Sequence, residues 1–288
     1  MANEKYESVI GLEVHAQLST AGKIFCGCAN QFGAEPNSAT CPVCLGLPGA
    51  LPVLNRKAVE YVLRLILSVN GKFNLVSEFA RKNYFYPDLP KGYQITQYDR
   101  PIGEGGALDI ELEGVSGYIP LKRIHLEEDA GKLLHPEDDT DYTLVDYNRC
   151  GTPLAEIVTE PEIHSPKEAH LYLLKLKQLL RYLEICSGDM EKGALRCDAN
   201  VSVRRKGRME MGVKTEVKNL NSFKAVEKAL EYEINRQTGL IEKGESVRHE
   251  TLLWDEAKQE CRVMRSKEES ADYRYFPEPD LPLLALDD

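Results

Sequence analysis

Residues 195–204 alternate strictly between apolar and polar side chains, which predicts a β-strand with two unlike faces. Successive side chains of a strand point to opposite faces, so one face should pack on a core and the other should carry functional groups. A strand that is merely exposed to solvent is the alternative for this segment taken alone. The apolar positions are Leu195, Cys197, Ala199, Val201 and Val203. The polar positions are Arg196, Asp198, Asn200, Ser202 and Arg204.

The same spacing appears in two other segments and extends the pattern to a surface. Glu13 and His15 lie two residues apart in a strand predicted over residues 8–18. Glu216 lies between Lys214 and Lys218, again at a spacing of two. These segments together predict a sheet face on which carboxylates cluster beside basic groups.

Residues 125–132 concentrate further acids at the end of another predicted strand. Alternation places Glu127 and Glu128 on opposite faces, so the pattern does not decide which of the two faces the site. A β-bulge at this point would present both.

Capping signals predict three helices between these strands. Asn55 precedes a helix over residues 58–67, Ser165 precedes one that runs to about residue 184, and Ser222 precedes a third. The apolar stripe of the third helix is Phe223, Val226, Leu230 and Ile234.

Two hairpins complete the predicted architecture. One turns near Gly114, between residues 109–113 and 117–128, and the other has a basic tip at residues 204–208 with a return strand over 211–217. Hairpins and irregularly spaced helices, without regular βαβ crossovers, predict an α+β domain with a mostly antiparallel sheet and flanking helices.

A turn-rich insert at about residues 23–52 carries four cysteines in two close pairs. Cys26 and Cys28 form a C-x-C pair, and Cys41 and Cys44 form a C-x-x-C pair. Four thiolates in this arrangement suit a closed, structural Zn²⁺ site rather than a catalytic one. Two disulfides or free cysteines are the alternatives.

Composition narrows the class of protein. The 288 residues are 42% hydrophobic and 28% charged, which is typical of globular proteins, and the net charge is −10. This charge disfavours non-specific binding to polyanions. With no recognisable signal peptide and no long apolar run, we expect a cytoplasmic protein that does not cross a membrane.

The predicted polar face has the composition of a phosphate-handling site. Clustered carboxylates, a histidine and nearby Lys and Arg are suited to Mg²⁺-bridged phosphates, because the hard cation takes oxygen ligands and the basic groups neutralise phosphoryl charge. No G-x-x-x-x-G-K-[ST] motif is present, which excludes a P-loop. For any single acid, a solvated strand residue is the alternative.

Read together, these segments closely resemble the B-subunit family of the bacterial tRNA-dependent amidotransferases. The resemblance covers nearly the whole chain. The matching stretches are GLEVHAQL at 11–18, FGAEPN at 32–37, RKNYFYPDLPKGYQITQYD at 81–99, HLEEDAGK at 125–132, DYNRCGTPLAEIV at 146–158, LRCDANVSVR at 195–204, EVKNLNSF at 216–223 and DYRYFPEPD at 272–280.

The resemblance implies a fold and an activity. The family has a cradle-shaped catalytic domain similar to glutamine synthetase and the guanido kinases. It transfers the γ-phosphoryl group of ATP to the side-chain carboxylate of Glu-tRNA(Gln) or Asp-tRNA(Asn). Ammonia released from glutamine by an amidase, the A-subunit, then displaces phosphate to give the amide. A small C-subunit completes the heterotrimer.

Matching motifs also imply roles for individual residues. Within the catalytic set below, Glu13, His15, Glu128 and Glu216 are expected to bind Mg²⁺. Mg²⁺ prefers oxygen, so His15 would bind through water or admit Mn²⁺. The catalytic set is Glu13, His15, Glu127, Glu128, Asp198 and Glu216. Candidates for binding nucleotide or the aminoacyl end are Arg149, Arg196, Asn200, Lys214 and Lys218, and the residues expected along the ammonia path are Lys82 and Lys91.

Three matters stay open at the level of sequence. The family continues into helical and tail domains that grip tRNA, whereas this chain ends at Asp288, so we expect residues 1–288 to form the catalytic cradle alone. A zinc-stabilised RNA-binding scaffold and a free-standing ligase of the glutamine synthetase type are the alternative functions. The residues do not separate Glu-tRNA from Asp-tRNA as substrate.

Overall fold

A computed structural model describes residues 5–136, 141–266 and 272–286, and these form a mixed α/β architecture. The helices are α1 (Pro42–Leu45), α2 (Arg56–Ser68), α3 (Pro166–Tyr182) and α4 (Phe223–Glu242), with a 3₁₀ turn at Tyr147–Arg149. The strands are β1 (Tyr6–Gln17), β2 (Lys72–Phe73), β3 (Val76–Ser77), β4 (Ala80–Asn83), β5 (Tyr93–Thr96), β6 (Gly103–Glu104), β7 (Ala107–Leu112), β8 (Val115–Glu128), β9 (Lys132–Leu134), β10 (Leu144–Asp146), β11 (Pro153–Thr159), β12 (Leu195–Arg205), β13 (Thr215–Leu220), β14 (Glu250–Asp255), β15 (Glu260–Ser266), β16 (Phe276–Pro277) and β17 (Leu284–Ala285).

The principal sheet runs in the order β15-β14-β13-β12-β1-β11-β8-β6-β2, with β7 paired to β8. Over the described residues every pairing in it is antiparallel except that of β13 with β14. The expected mostly antiparallel sheet with flanking helices is therefore confirmed. Smaller pairings join β9 to β10, β16 to β4 and β5, and β17 to β3.

The hydrophobic core lies on one face of this sheet. Leu12 and Val14 of β1 are fully buried and belong to one apolar cluster with residues of α2, α3 and α4. Glu13 and His15, which alternate with them, are only partly buried and line a cavity on the opposite face. The period-2 pattern of the sequence therefore separates the core from the candidate site.

The predicted helix starts agree with the structure. The Asn55 side chain accepts a hydrogen bond from Lys57 N, and Ser222 Oγ accepts one from Ala225 N. Ser165 Oγ likewise accepts from the N–H of Glu168 at 3.2 Å. Each side chain satisfies a backbone donor that the first helical turn leaves without a partner.

One sequence prediction is wrong, and a second, the apolar stripe of α4, is confirmed but incomplete. The return strand of the basic hairpin begins at Thr215, not at residue 211. Residues 211–214 belong to no strand, and the backbone of Gly212 lies against that of Val203 in β12. A Cβ at that position would lie 2.2 Å from the carbonyl oxygen of Val203. The buried face of α4 also carries Glu233 and Gln237, both fully buried, beside its apolar residues.

A C-terminal segment, residues 272–286, closes against β4. Glu278 makes two hydrogen bonds to Arg81, at 2.7 and 2.8 Å, and its N–H bonds to the carbonyl of Phe79. Asn83 Nδ2 donates to the carbonyls of Tyr273 and Arg274. These contacts hold Tyr273 at the wall of the cavity described next.

Candidate active site

A cavity of about 650 Å³, the main cavity, lies on the face of the sheet that turns away from the core. Strands β1, β8, β11, β12 and β13 supply its floor, because their polar positions share that face. Its lining is mostly polar or charged and comprises Glu13, His15, Lys82, Tyr84, Asp88, Gln94, Glu127, Asp129, Ala130, Arg149, Leu154, Glu156, Arg196, Asp198, Glu216, Lys218, His249 and Tyr273.

Three adjacent strands bring one imidazole and two carboxylates together at the floor. His15 of β1 is opposite Glu156 of β11 in register, and Glu127 of β8 lies beside them. His15 Nε2 is 3.3 Å from Glu127 Oε1 and 3.4 Å from Glu156 Oε2. One ligand atom from each of the three lies within 4.8 Å of the others, so the set can hold a divalent cation.

The electrostatics of this cluster favour bound positive charge. Burial alone would lower the pKa of His15, but hydrogen bonds to Glu127 and Glu156 outweigh it and raise the pKa to about 10. Burial and Glu156 act to raise the pKa of Glu127, yet His125 and His15 bring it down to about 2. The carboxylates are therefore ionised, and either a proton on the imidazole or a metal ion balances their charge.

His125 supports the cluster from inside the protein. It is 1% exposed, and its Nε2 lies 3.1 Å from Glu156 Oε2 and 3.7 Å from Glu127 Oε2. Thr96 Oγ1 also donates to Glu127 Oε2 at 3.0 Å. Partners of this kind fix the orientation of carboxylates that would bind a metal.

A second acidic group lies beside the first on the same floor. Glu13 pairs in register with Asp198, and Glu216 lies opposite Asn200. Burial, followed by repulsion from Glu156, Glu216 and Asp198, raises the pKa of Glu13. This is the behaviour of carboxylates placed close enough to share a cation.

Lys218 neutralises part of that second group. Its Nζ lies 2.5 Å from Asp198 Oδ2 and 3.1 Å from Glu216 Oε1. Burial disfavours the charged amine, but the two carboxylates outweigh it and raise the pKa of Lys218 above its usual range. The amine therefore stays cationic and is placed to meet negative charge entering the cavity.

Two guanidiniums form another wall. Arg149 donates from Nε to the carbonyl of Ala130 at 3.0 Å, and Arg196 donates from Nη2 to Asp129 Oδ2 at 2.7 Å. Gln17 Nε2 donates to the same Asp129 oxygen at 3.1 Å. Asp129 thus orients one guanidinium directly and keeps both near the cavity.

Lys82 lies at the aromatic wall of the cavity. Its Nζ is 4.8 Å from the ring centre of Tyr273 and 5.9 Å from that of Tyr84. Two residues beyond Tyr273, the ring of Tyr275 stacks on that of Tyr98 with 3.9 Å between their centres. Aromatic faces attract a cation, so they can hold the amine in place without a carboxylate partner.

Glu128 and Lys91 do not line the main cavity. Pairing of β8 with β11 is regular through Glu127 and Glu128, so no bulge turns both toward the main cavity. Glu128 is 4% exposed, forms an ion pair with Lys91 and accepts a hydrogen bond from Ile95 N. The structure therefore sets Glu128 apart from the His15 cluster.

Asn200 and Lys214 line a second cavity, of about 290 Å³, that shares Glu13 with the main one. Asn200 Nδ2 donates to Glu13 Oε1 at 3.0 Å, which places the amide between the two cavities. Lys214 precedes β13 instead of belonging to it. The wall is otherwise largely apolar and includes Val9, Leu12, Val158 and Met211.

Sequence reasoning missed Glu156 and gave no role to Asp129. Glu156 lies in β11, where Leu154, Ala155 and Ile157 surround it and leave no alternation to reveal a polar face. A lone carboxylate inside a buried apolar run was the available signal, since an isolated buried charge requires partners.

The four cysteines of the insert converge as their spacing predicts. Their Sγ atoms, one from each of Cys26, Cys28, Cys41 and Cys44, lie within 4.8 Å of one another, and all four are free thiols. Lys23 Nζ lies 3.3 Å from Cys44 Sγ. The contact with Cys26, together with the Lys23 ammonium, outweighs burial and lowers the pKa of Cys44 to about 4. The group is compatible with a tetrahedral Zn²⁺ site.

The fold and the site define an α+β protein whose sheet carries a carboxylate-lined cavity with a candidate divalent-metal cluster. Residues 8–288 match the family model described as the GatB/GatE catalytic domain. The chain belongs to this family. No helix among the described residues has the length and apolar character needed to cross a membrane.

Similar proteins carry a consistent name. The chain is 63% identical over 285 residues to a protein of Thermodesulfovibrio yellowstonii that is named as the B-subunit of an aspartyl/glutamyl-tRNA(Asn/Gln) amidotransferase. Proteins of the same name from Desulfotalea psychrophila and Carboxydothermus hydrogenoformans are 56% and 58% identical. These matches cover 98–99% of this chain and 59–60% of the relatives, so the chain spans about 60% of their length.

Proposed function

We propose that this chain is the catalytic cradle of a tRNA-dependent amidotransferase, similar to that of glutamine synthetase and the guanido kinases. It activates the side-chain carboxylate of Glu or Asp esterified to tRNA by phosphorylation with ATP, and ammonia then replaces the phosphate. The observation that carries the proposal is the pairing, in one cavity, of the His15–Glu127–Glu156 cluster with the Glu13–Asp198–Glu216–Lys218 group. The names of the similar proteins support the same substrate class.

The two acidic groups suit phosphoryl transfer. His15, Glu127 and Glu156 would hold a divalent cation, and Glu13, Asp198 and Glu216 would contribute oxygens to a neighbouring one. A bound Mg²⁺ or Mn²⁺ would neutralise part of the negative charge of the phosphates. The protein's own Lys218, Arg149 and Arg196 add positive charge where the transferred phosphoryl group carries its negative oxygens.

The second cavity suits the base of the nucleotide. Its apolar wall would take a nucleobase against Val9 and Val158, and Glu13, which lines both cavities, would place the phosphates on the side of the acids. Asn200 and Lys214 line this cavity and would contact the ribose or a phosphate. Apolar clefts with a few polar groups are the usual form of such sites.

The proposed reaction needs only the carboxylate, ATP and ammonia. A carboxylate oxygen attacks the γ-phosphorus and the bond to the ADP oxygen breaks. Ammonia then attacks the acyl carbon, phosphate leaves, and the nitrogen loses a proton to give the amide. The first product is an acyl phosphate, and water must be excluded from the site because it would hydrolyse this product.

Ammonia would come from a glutaminase partner, the A-subunit, in a heterotrimer with the small C-subunit. Lys82 on the aromatic wall and the Lys91–Glu128 pair, beside Glu127, are the proposed polar points along its path. The Cys₄ group would hold a structural Zn²⁺.

The direct test combines the chain and its partner subunits with Mg²⁺, γ-labelled ATP and Glu-tRNA(Gln), and repeats the assay with Asp-tRNA(Asn). We expect tRNA-dependent release of label, and loss of that release in Glu216→Gln. Label release with free glutamate and no tRNA would instead identify a small-molecule ligase. A scaffold would show no nucleotide turnover in the wild type, and Asp198→Asn would then change nothing in this assay.

A further inference from the structure

Asn37 of the cysteine-bearing insert bonds to the 3₁₀ turn that ends in Arg149. Its Nδ2 donates to the carbonyl of Val145 at 3.0 Å, and its Oδ1 accepts from the N–H of Tyr147 at 2.8 Å. The N–H of Asn37 also donates to Asp146 Oδ1 at 3.0 Å. One residue of the insert therefore holds three consecutive residues at the start of the turn.

The turn bonds back to the insert through its own amide side chain. Asn148 Nδ2 donates to the carbonyl of Glu35 at 2.6 Å, and Asn148 Oδ1 accepts from the N–H of Ala39 at 2.8 Å. We call this set of contacts the junction; it joins Glu35, Asn37 and Ala39 of the insert to residues 145–148.

We propose that the junction positions the guanidinium of Arg149, so that Asn37 and Asn148 act on the reaction without touching the substrate. Arg149 follows Asn148 directly and lines the main cavity. Its Nε donates to the carbonyl of Ala130 at 3.0 Å, and its Nη2 donates to that of Gly131 at 2.5 Å. This rests on the proposed function, in which Arg149 faces the charge of the phosphoryl group.

The turn at Tyr147–Arg149 needs support from outside, because three residues form too few internal hydrogen bonds to be stable alone. Gly131 packs closely against it, since a Cβ at that position would lie 3.0 Å from the carbonyl oxygen of Asp146. The Tyr147 hydroxyl donates to the carbonyl of Pro87 at 3.0 Å. The junction adds the hydrogen bonds from the insert, so the turn is held between the insert and the segment 129–131.

The backbone of Asn37 supports a positioning role. Its φ is 59°, in the left-handed region, which asparagine tolerates better than most residues but which is uncommon outside glycine. Asn37 is also exposed, so it contributes little to the core. Its contacts are thus directed to the turn, and its replacement should leave core packing unchanged.

The insert side of the junction is fixed near the four cysteines. Lys23 is fully buried, and its Nζ donates to the carbonyl of Ala39 at 2.8 Å and lies 3.3 Å from Cys44 Sγ. A buried ammonium is costly without such partners, so Lys23 holds Ala39 in place. Ala39 in turn donates its N–H to Asn148. Hydrogen bonds therefore lead without a break from the cysteine group to the residue before Arg149.

The first test measures tRNA-dependent release of label from γ-labelled ATP by the chain with its partner subunits. Asn37→Gly removes the side-chain bonds of the junction but accepts the positive φ without strain, and we expect kcat/KM to fall about tenfold. Asn148→Ala removes the reciprocal bonds and should give a similar loss. The matched control is Asn70→Gly, at an exposed asparagine with a φ of 55° next to the end of α2, and it should react as the wild type does. Circular dichroism checks that every variant is folded.

A second measurement does not depend on activity. The Nε–H of Arg149 gives an NMR signal that is assigned by its absence in Arg149→Lys. Exchange of this hydrogen with solvent should be about tenfold faster in Asn37→Gly than in the wild type, because the guanidinium is no longer held against Ala130. Asn70→Gly should leave the exchange rate unchanged.

Combining the variants separates positioning from a general loss of stability. If Asn37 acts through Arg149, Asn37→Gly should cost less than about twofold in kcat/KM when Arg149→Lys is already present. An equal cost with and without Arg149→Lys would overturn the inference, and so would an Arg149 exchange rate that Asn37→Gly leaves unchanged. Label release by the wild type with that unchanged exchange rate rejects the junction alone. Faster exchange in Asn37→Gly, with no label release by the wild type, rejects the proposed function alone.

Discussion

Thr251 donates a hydrogen bond from its hydroxyl to Oε2 of Glu216 at 3.0 Å, across the one parallel pairing seen in the described part of the principal sheet. Thr251 is fully buried, whereas Glu216 lines the main cavity. The hydroxyl thus holds one carboxylate oxygen while the other lies 3.1 Å from Lys218 Nζ. A buried threonine on β14 orients a cavity residue on β13.

Replacing Thr251 with Val should therefore reduce phosphoryl transfer while leaving the fold intact. The substitution keeps the side-chain shape but removes its hydroxyl, and we expect a loss of about tenfold in kcat/KM, or about 1.4 kcal/mol. Thr251→Ser retains the donor and should stay within about twofold of wild type. Equal activity of the Val and Ser variants would contradict the positioning role.

Glu156 should govern binding of a divalent cation. Glu156→Gln removes one charge from the three-ligand cluster, so Mn²⁺ titrated by electron paramagnetic resonance should bind at least about tenfold more weakly. Glu162→Gln, at an exposed position just beyond the same strand, is the matched control and should bind Mn²⁺ normally. Indistinguishable Mn²⁺ affinities for the two variants would remove Glu156 from the site.

The C-terminal segment should depend on the buried partner of Arg81. The Glu278 side chain is fully buried and bonds Arg81 twice, while Asp280 reaches the same guanidinium at 3.1 Å from a side chain that is 38% exposed. Glu278→Gln should lower the free energy of unfolding by about 3 kcal/mol, because it weakens a buried pair. Asp280→Asn should cost less than about 1 kcal/mol. Urea denaturation of both variants checks that Glu278→Gln lowers the free energy of unfolding more than Asp280→Asn does.

Gly212 and Gly239 should respond in opposite directions to alanine. At Gly212 the new Cβ would overlap the Val203 carbonyl oxygen, so the hairpin must shift and the melting temperature should fall by several degrees. At Gly239, within α4, no atom lies within 4 Å of the new Cβ, and alanine should stabilise by up to about 1 kcal/mol. Differential scanning calorimetry compares them, and a Gly212→Ala protein as stable as wild type would contradict the close approach.

Metal removal should identify the role of the Cys₄ group. We expect about one Zn²⁺ per chain by elemental analysis. Chelation or Cys44→Ser should lower the melting temperature by roughly 5 °C, since metal binding contributes directly to folding. The control is Cys261→Ser, which changes a cysteine far from the insert in sequence, and this variant should keep the Zn²⁺ of the Cys₄ group. Full stability after complete chelation would show that the cysteines serve another purpose.

The local elements follow from the sequence alone. Capping residues such as Ser165 and Ser222 set where helices begin, because they satisfy backbone donors that no other group reaches. Strict alternation sets which side chains of β1 and β12 share a face, and Glu13, His15 and Asp198 do meet in one cavity. The cysteine spacing likewise sufficed to predict that four thiols come together.

Which carboxylates meet is a property of the tertiary structure. Glu156 joins His15 through the register of β1 with β11, and Glu128 turns to Lys91 because the pairing of β8 with β11 has no bulge at Glu127 and Glu128. Lys214 lies outside the main cavity since β13 begins only at Thr215. Alternation along a strand is a local property of the backbone, whereas the neighbour opposite each residue depends on strand order and register, which are set by packing between segments far apart in the chain.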